Sequence, residues 1–411
     1  MLDAFLKTHF HSLYHRNYRY FFFGQLISLI GTWMQVMALA WLVYTITNSP
    51  FKLGIIGAAQ FLPTLIFALF AGVLIDRYPK KKILIITQTI YCLQALVLFF
   101  LIHYGVAQYW QILLLTLVLG FASAVDMPAR QAYIVELVGR EDVVNAVGLN
   151  SAIYNLARVL GPAVAGVLMT SVGIQWCFLF NALSFVTVIL SLFMITGTKG
   201  HVMCNSDKFF NLKIFANIKE GLLYIKRNNI LFKTSLIILF ITIVSFNYNV
   251  LLPVFAREVL GLKEKGFGIL LSSLGIGSLI GALMVSTMGK SDPKPKSLVV
   301  SSMMLGISLF VLGFTKNLYT ASVTIGFCGI FNLWFFTNAN SILQLNASDE
   351  FRGRVMGVYA MVFAGTIPIG NLISGFVAQR ISADRTFMCI GLIIIVTVLL
   401  KIFMINNKRH F

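Results

Sequence analysis

DMPARQAYIVELVGREDVVNAVGLNSAIYNLARVLGPAVAG, residues 126–166, runs from one apolar stretch through the polar turn Gly139-Arg140-Glu141-Asp142 into another. Extended on both sides, the apolar runs reach from near 109 to 137 and from near 144 to 170. Each exceeds the roughly 20 residues that an α-helix needs to cross a bilayer core. Yet the stretch carries Asp126 and Arg130 in the first run and Arg158 at the centre of the second. An arginine at the centre of a membrane helix costs about 2.5–3.5 kcal/mol on insertion scales and normally faces a cavity or a partner. Two membrane helices with ionisable groups turned toward an interior is therefore the reading that the rest of the chain has to meet.

The composition meets it. The chain has 411 residues, of which 58% are hydrophobic and only 11% charged, against about 25% charged in soluble domains. Charge that sparse cannot cover a water-facing surface, and the apolar runs divide into twelve candidate helices. They lie near 20–45, 53–75, 83–103, 109–137, 144–170, 174–196, 231–257, 266–288, 298–314, 317–345, 355–379 and 386–405. The first twenty residues are too polar for a cleavable signal peptide. Cys92, Cys177, Cys204, Cys328 and Cys389 form no C-x-x-C pair and read as packing residues, not as a metal site.

The net charge of +18 is explained by orientation. With the N-terminus inside, the inner segments hold 22 Lys and Arg and the outer loops 7. Inner loops of membrane proteins carry this excess, so both termini are expected in the cytoplasm of a bacterial inner-membrane protein. No nucleic-acid partner is needed to account for the charge. The protein is expected to be monomeric in a lipid membrane, with no cofactor.

Two echoes imply a duplicated half. Gly148, Ala157, Gly161-Pro162 and Ala165-Gly166 recur as Gly357, Thr366, Gly370-Asn371 and Ser374-Gly375 at the same spacing. RYPKKK at 77–82 is echoed by SDPKPK at 291–296. Transporter folds often carry such repeats. The expected organisation is a six-helix bundle over 1–197, a cytoplasmic linker over 198–230 and a second six-helix bundle over 231–411. Residues 212–228 fit either an amphipathic helix on the membrane surface or a plain linker. The helix-packing set is Gly148, Gly161, Pro162, Gly166, Gly357, Gly370 and Gly375, because small residues let membrane helices approach closely.

The candidate coupling site comes from spacing. Ser151, Asn155 and Arg158 follow i, i+4, i+7 and share one helix face. Asp126 lies at a comparable depth, with Arg130 one turn on. A carboxylate between two arginines that opens and closes during a transport cycle would change its proton affinity with conformation. The alternative is a static salt bridge that pins the helices. Other chemistries are poorly supported. Gly289-Lys290-Ser291 lacks the first glycine of a phosphate loop. His9, His11 and His15 are irregularly spaced and read as solvated. With no hydrolase or metal signature, the chain is not expected to be an enzyme, and its energy must come from an ion gradient, with protons as the coupling ion.

GVLIDRYPKKK, Gly72 to Lys82, resembles the signature loop of the major facilitator superfamily between its second and third helices. Gly72, Asp76, Arg77 and the basic run match, while Pro79 replaces the usual glycine. The Gly148–Gly166 pattern resembles the fifth-helix motif of antiporters in that superfamily, with Ala157 and Ala165 replacing two glycines. The opening stretch, together with GQLISLIGTWMQVMALAWLVY in the first helix, is similar to a bacterial branch of drug and siderophore exporters of the enterobactin-exporter type.

The resemblance implies an all-α membrane protein of twelve transmembrane helices in two pseudo-symmetric six-helix bundles, the major facilitator fold, working by alternating access. It implies a cytoplasmic gate at Gly72, Asp76, Arg77 and Lys80, with Glu136, Arg352 and Arg354 as possible partners. It also implies a central cavity lined by Gln25, Ser28, Trp33 and Gln35 of the first helix and by Ser151 and Asn155 of the fifth. Phe246, Asn247 and Asn249 of the seventh and Asn332, Trp334, Asn338 and Asn340 of the tenth complete the lining. Aromatic walls with few polar anchors suit an amphipathic small molecule. The expected function is proton-coupled export of a drug or siderophore. An importer or lysolipid transporter on the same fold, and an uncoupled channel or membrane partner protein, remain open at this stage.

Overall fold

The computed structural model describes residues 10–196, 212–245, 247–287 and 295–407. Outside it fall 1–9, 197–211, Phe246, 288–294 and 408–411, hence His9, much of the expected linker, one expected cavity residue and most of the SDPKPK loop. Of Asp76 only the backbone is described.

The described residues are helical almost throughout. A 3-10 turn, His11–Tyr14, precedes α1 (Arg16–Thr47), α2 (Pro50–Arg77) and α3 (Lys80–His103). The stretch Tyr109–Ser171 breaks at Gly139 into α4 (109–138) and α5 (140–171). Then come α6 (Gln175–Met194), α7 (Leu212–Arg227), α8 (Asn229–Ser245) and α9 (Tyr248–Val254), the last continued by a π turn, Phe255–Val259. The chain closes with α10 (Glu264–Thr287), α11 (Pro295–Leu312), α12 (Leu318–Asn346), α13 (Asp349–Ile381) and α14 (Ala383–Asn407).

Ten of these stretches are long and apolar enough to cross a membrane. Tyr109–Ser171 contains two spans once divided at Gly139, and α11 is a shorter apolar helix. The twelve spans of the sequence reading are thereby accounted for, with α8, α9 and the π turn making one of them. Gly139 divides its stretch because its φ of 75° is a left-handed conformation that glycine adopts without a Cβ clash.

The chain forms two compact units. One holds α1, α2 from Ala59 onward, and α3 to α6; the other holds Thr47–Ala58 and the described helices from α7 to α14. Within the first, α3 packs on α6 and on the α4–α5 stretch, and α1 meets α6 at glycines. A Cβ on Gly31 would stand 2.6 Å from both the Asn181 and Ser184 side chains of α6. Within the second, α10 crosses α12 at Gly277, Gly281, Gly326 and Gly329, and α11 packs on α14. At the Gly277–Gly326 crossing a Cβ on Gly277 would overlap the Gly326 carbonyl outright.

The two echoed glycines occupy equivalent places. A Cβ at Gly161 of α5 would stand 3.0 Å from the Ile30 carbonyl of α1. One at Gly370 of α13 would overlap the Ile243 carbonyl of α8. Each glycine thus lets the fifth helix of its half cross the first. Gly375 lies as close to Gly54 and Phe51 at the start of α2, and Pro162 and Gly166 are buried in α5. At Gly148 and Gly357, among the described residues, a Cβ would meet no atom of a neighbouring helix within 4 Å.

Candidate functional site

α3 and α4 hold the buried acid between them. Asp126 is 4% exposed. Its Oδ1 accepts from Thr87 Oγ1 at 2.6 Å and from Gln88 Nε2 at 2.9 Å. Its Oδ2 accepts from Arg130 Nε at 3.2 Å and forms a short ion pair with Arg130 Nη2. The i, i+4 spacing on α4 puts the guanidinium over the carboxylate, while Thr87 and Gln88 come from α3. A carboxylate with its partners so arranged holds its charge away from water at far less cost than a bare one.

Arg158, on α5, lies against an aromatic side chain of α1. Its guanidinium lies 5.8 Å from the centre of the Trp33 ring, a cation–π contact between α5 and α1. Trp33 in turn meets Tyr154 edge-on at 5.7 Å. The hydrogen bonds and ion pair of Asp126 reach α3 and its own helix, and the aromatic contact of Arg158 reaches α1. Asn155, on the same α5 face, donates to the Ser151 carbonyl at 2.9 Å.

Thr87 and Gln88 were not among the expected site residues, although polar residues inside the apolar run ILIITQTIYCLQAL (83–96) offered a signal. Nor was a second polar cluster expected. Gln35, expected to line a cavity, donates to Gln94 of α3 at 3.0 Å and accepts from Asn181 of α6 at 2.7 Å. It serves the interior of its own unit. Asn247 likewise turns to α13, donating to Ser374 Oγ at 2.7 Å, and Asn332 reaches Tyr248 Oη at 3.4 Å. Ser28 and Asn338 are buried, Trp334 and Asn340 half-buried, and Asn249 and Ser151 exposed. Gln25 is 1% exposed, and neither of its amide atoms has a hydrogen-bond partner among the described residues.

The expected gate residues have partners close at hand. Glu136, at the far end of α4 from Tyr109, pairs with Lys80 at the start of α3 at 2.6 Å. Arg352 pairs with Asp349 at 2.7 Å and donates to the Gln344 carbonyl. Arg354 reaches Glu220 of α7 at 3.4 Å and lies 4.7 Å over the Phe351 ring. Arg77 and Gly72 are exposed. The basic loop thus engages α4 through Lys80.

Two of the histidines read as solvated are held. His11 Nε2 lies 3.0 Å from Asp142 Oδ1, and His15 Nε2 lies 2.6 Å from Asp142 Oδ2. Between them Ser12 is fully buried and donates to Asn145 at 2.6 Å. The 3-10 turn before α1 is thereby fastened to the turn that joins α4 to α5.

Two units of long apolar helices make a multi-pass, all-helical membrane architecture of the major facilitator fold. Solved structures share this fold. A nucleoside transporter, NupG, superposes with a TM-score of 0.77 at 12% identity, covering 95% of this chain and 99% of its own. A bacterial homologue of the lysosomal transporter Spinster superposes with a TM-score of 0.72 at 13% identity, covering 93% and 95%.

The chain belongs to the transmembrane secretion effector family, whose profile matches residues 7–409. It is 28% identical to the staphyloferrin A transporter of Staphylococcus aureus over 95% of this chain and 96% of the relative. It is 24% identical to macrolide efflux protein A of Streptococcus pyogenes over 90% and 92%, and 24% identical to the multidrug efflux pump Tap of Mycolicibacterium fortuitum over 90% and 91%. This is a family of transporters that includes drug and siderophore efflux pumps, not a family of enzymes.

Proposed function

We propose that the protein exports an amphipathic small molecule, a drug or a siderophore, across the bacterial cytoplasmic membrane in exchange for protons. The observation that carries this reading is the buried Asp126. Charged groups inside membrane spans are rare, and by default they mark a pathway or a relay. Asp126 has a cationic partner on its own helix and two neutral donors on the next. Protonating it weakens the ion pair to Arg130 while leaving room for Thr87 and Gln88 to stay bonded. Proton uptake is then linked to whatever rearrangement separates Arg130 from the carboxylate, and by reciprocity that rearrangement alters proton affinity.

Relatives that move a siderophore and a macrolide support the substrate class. Gln25 supplies a polar anchor for it: an unpaired buried amide costs about 1–3 kcal/mol, a cost that a bound polar group would remove. Arg158, with Trp33 and Tyr154, offers a cationic aromatic corner for an acidic or aromatic part of the same molecule. The two six-helix halves alternate access, each as a monomer's own half, with Asp76, Arg77 and Lys80 as the gate on the side of the termini.

The test measures accumulation of dyes, drugs and siderophores in cells making wild type or Asp126→Asn, with and without a protonophore. Wild type should lower accumulation of at least one compound, and both the protonophore and the substitution should abolish that. Equal export by the two proteins, at equal membrane abundance, would leave Asp126 as a static clamp between α3 and α4. Gradient-independent equilibration would point to a channel, and raised accumulation to an importer.

A further inference from the structure

The helix α7 has two unlike faces. One is docked within its own unit. Ile225 is 4% exposed, Gly221 lies against the Arg354 carbonyl of α13, and Tyr224 stacks on Phe351 at 4.4 Å with the rings 4° from parallel. The Ser348 N–H donates to Tyr224 Oη, and Glu220 pairs with Arg354.

The other face has no such cover among the described residues. Lys219, Leu222, Leu223 and Lys226 follow i, i+3, i+4, i+7 and form one stripe, and all four are exposed, the leucines at 45% and 46%. Arg227 extends the stripe. The one acid on the described part of this helix, Glu220, is engaged with Arg354.

The position of α7 says what covers this stripe. Two membrane spans begin beside it: α8 starts at Asn229, two residues after α7 ends, and α13 starts at Asp349, next to the Ser348 that Tyr224 binds. Exposed Ile230 and Phe232 continue the apolar surface into α8. A helix at the head of two spans, with leucines between lysines, suits the bilayer surface, where leucines reach acyl chains and ammonium groups reach headgroups.

We propose that α7 is a membrane-surface anchor that binds anionic lipid through Lys219, Lys226 and Arg227 and inserts Leu222 and Leu223 into the same leaflet. Because its opposite face is fixed to Phe351 and Arg354, lipid bound there holds the first turns of α13 in place. The inference is independent of substrate and coupling ion.

The experiment uses the full chain in nanodiscs of phosphatidylcholine, with or without phosphatidylglycerol. A bimane label is placed at Leu222→Cys or Leu223→Cys in a background whose native cysteines are serine, and at exposed Asp349→Cys as a control. Brominated lipid should quench the labels at 222 and 223 several-fold more strongly when phosphatidylglycerol is present, and the control weakly in both discs. Lys219→Glu with Lys226→Glu should remove the dependence on phosphatidylglycerol. Because both lysines are exposed, thermal stability in detergent should not change. Labels that stay in water in both discs overturn the proposal, and equal quenching in the two discs overturns its anionic part. Protection that appears in detergent and grows with protein concentration assigns the stripe to a second copy instead.

Discussion

Asp126 is where the chemistry of single residues is most exposed to test. Its two neutral donors come from α3, so each can be removed without touching α4. Thr87→Val and Gln88→Leu should each destabilise the protein by about 1–3 kcal/mol, the range for a hydrogen bond to a charged group. The loss is read as a lower unfolding temperature in detergent. Thr87→Ser should recover most of it. Asp142 invites a different experiment. Asp142→Asn takes the charge from the carboxylate that holds His11 and His15, so amide exchange over residues 10–15 should rise while exchange in α3 and α6 stays unchanged. Unaltered exchange at 10–15 would mean that Ser12 and Asn145 alone fasten the turn.

At the scale of elements, glycine has two distinct uses in the repeated pattern. Gly161 and Gly370 are crossing points, where a side chain meets backbone of the first helix of the half. Gly148 and Gly357 have no neighbouring-helix atom within 4 Å of a Cβ among the described residues. Gly370→Val should therefore cost about 1–3 kcal/mol by overpacking, seen as a fall in unfolding temperature and in membrane abundance. Gly148→Ala should raise stability by about 0.5–1 kcal/mol, the usual gain for replacing glycine inside a helix. Equal effects at the two positions would contradict this division. The sequence pattern alone treated all of these glycines as one packing motif, because spacing marks a helix face without saying what lies opposite.

For the whole molecule, orientation is the property with the clearest physical basis and the simplest assay. The threefold excess of Lys and Arg in alternate loops predicts that both termini face the cytoplasm. A fluorescent protein fused after residue 411 should therefore fluoresce, and alkaline phosphatase fused there should be inactive. A cysteine placed in the 104–108 turn should react with an impermeant maleimide added to intact spheroplasts. An inactive fluorescent fusion beside an active phosphatase would invert the assignment, and with it the side on which α7 meets the membrane.

Length and hydropathy determined the twelve spans, because a bilayer demands about 20 apolar residues per crossing whatever the neighbours do. Gly139 was legible as a break within the polar GRED turn, and the repeat was legible as spacing. The partners of the buried charges were not. Thr87 and Gln88 beside Asp126, and the Trp33 ring beside Arg158, could not be read from spacing. The hydrogen bonds of Gln35 to Gln94 and Asn181, and of Asn247 to Ser374, were equally illegible in the sequence. Rotation of a helix about its axis is fixed by which neighbour it packs against. In a helix apolar on nearly every side, the sequence carries little trace of that choice, so the tertiary structure decided where each polar group points.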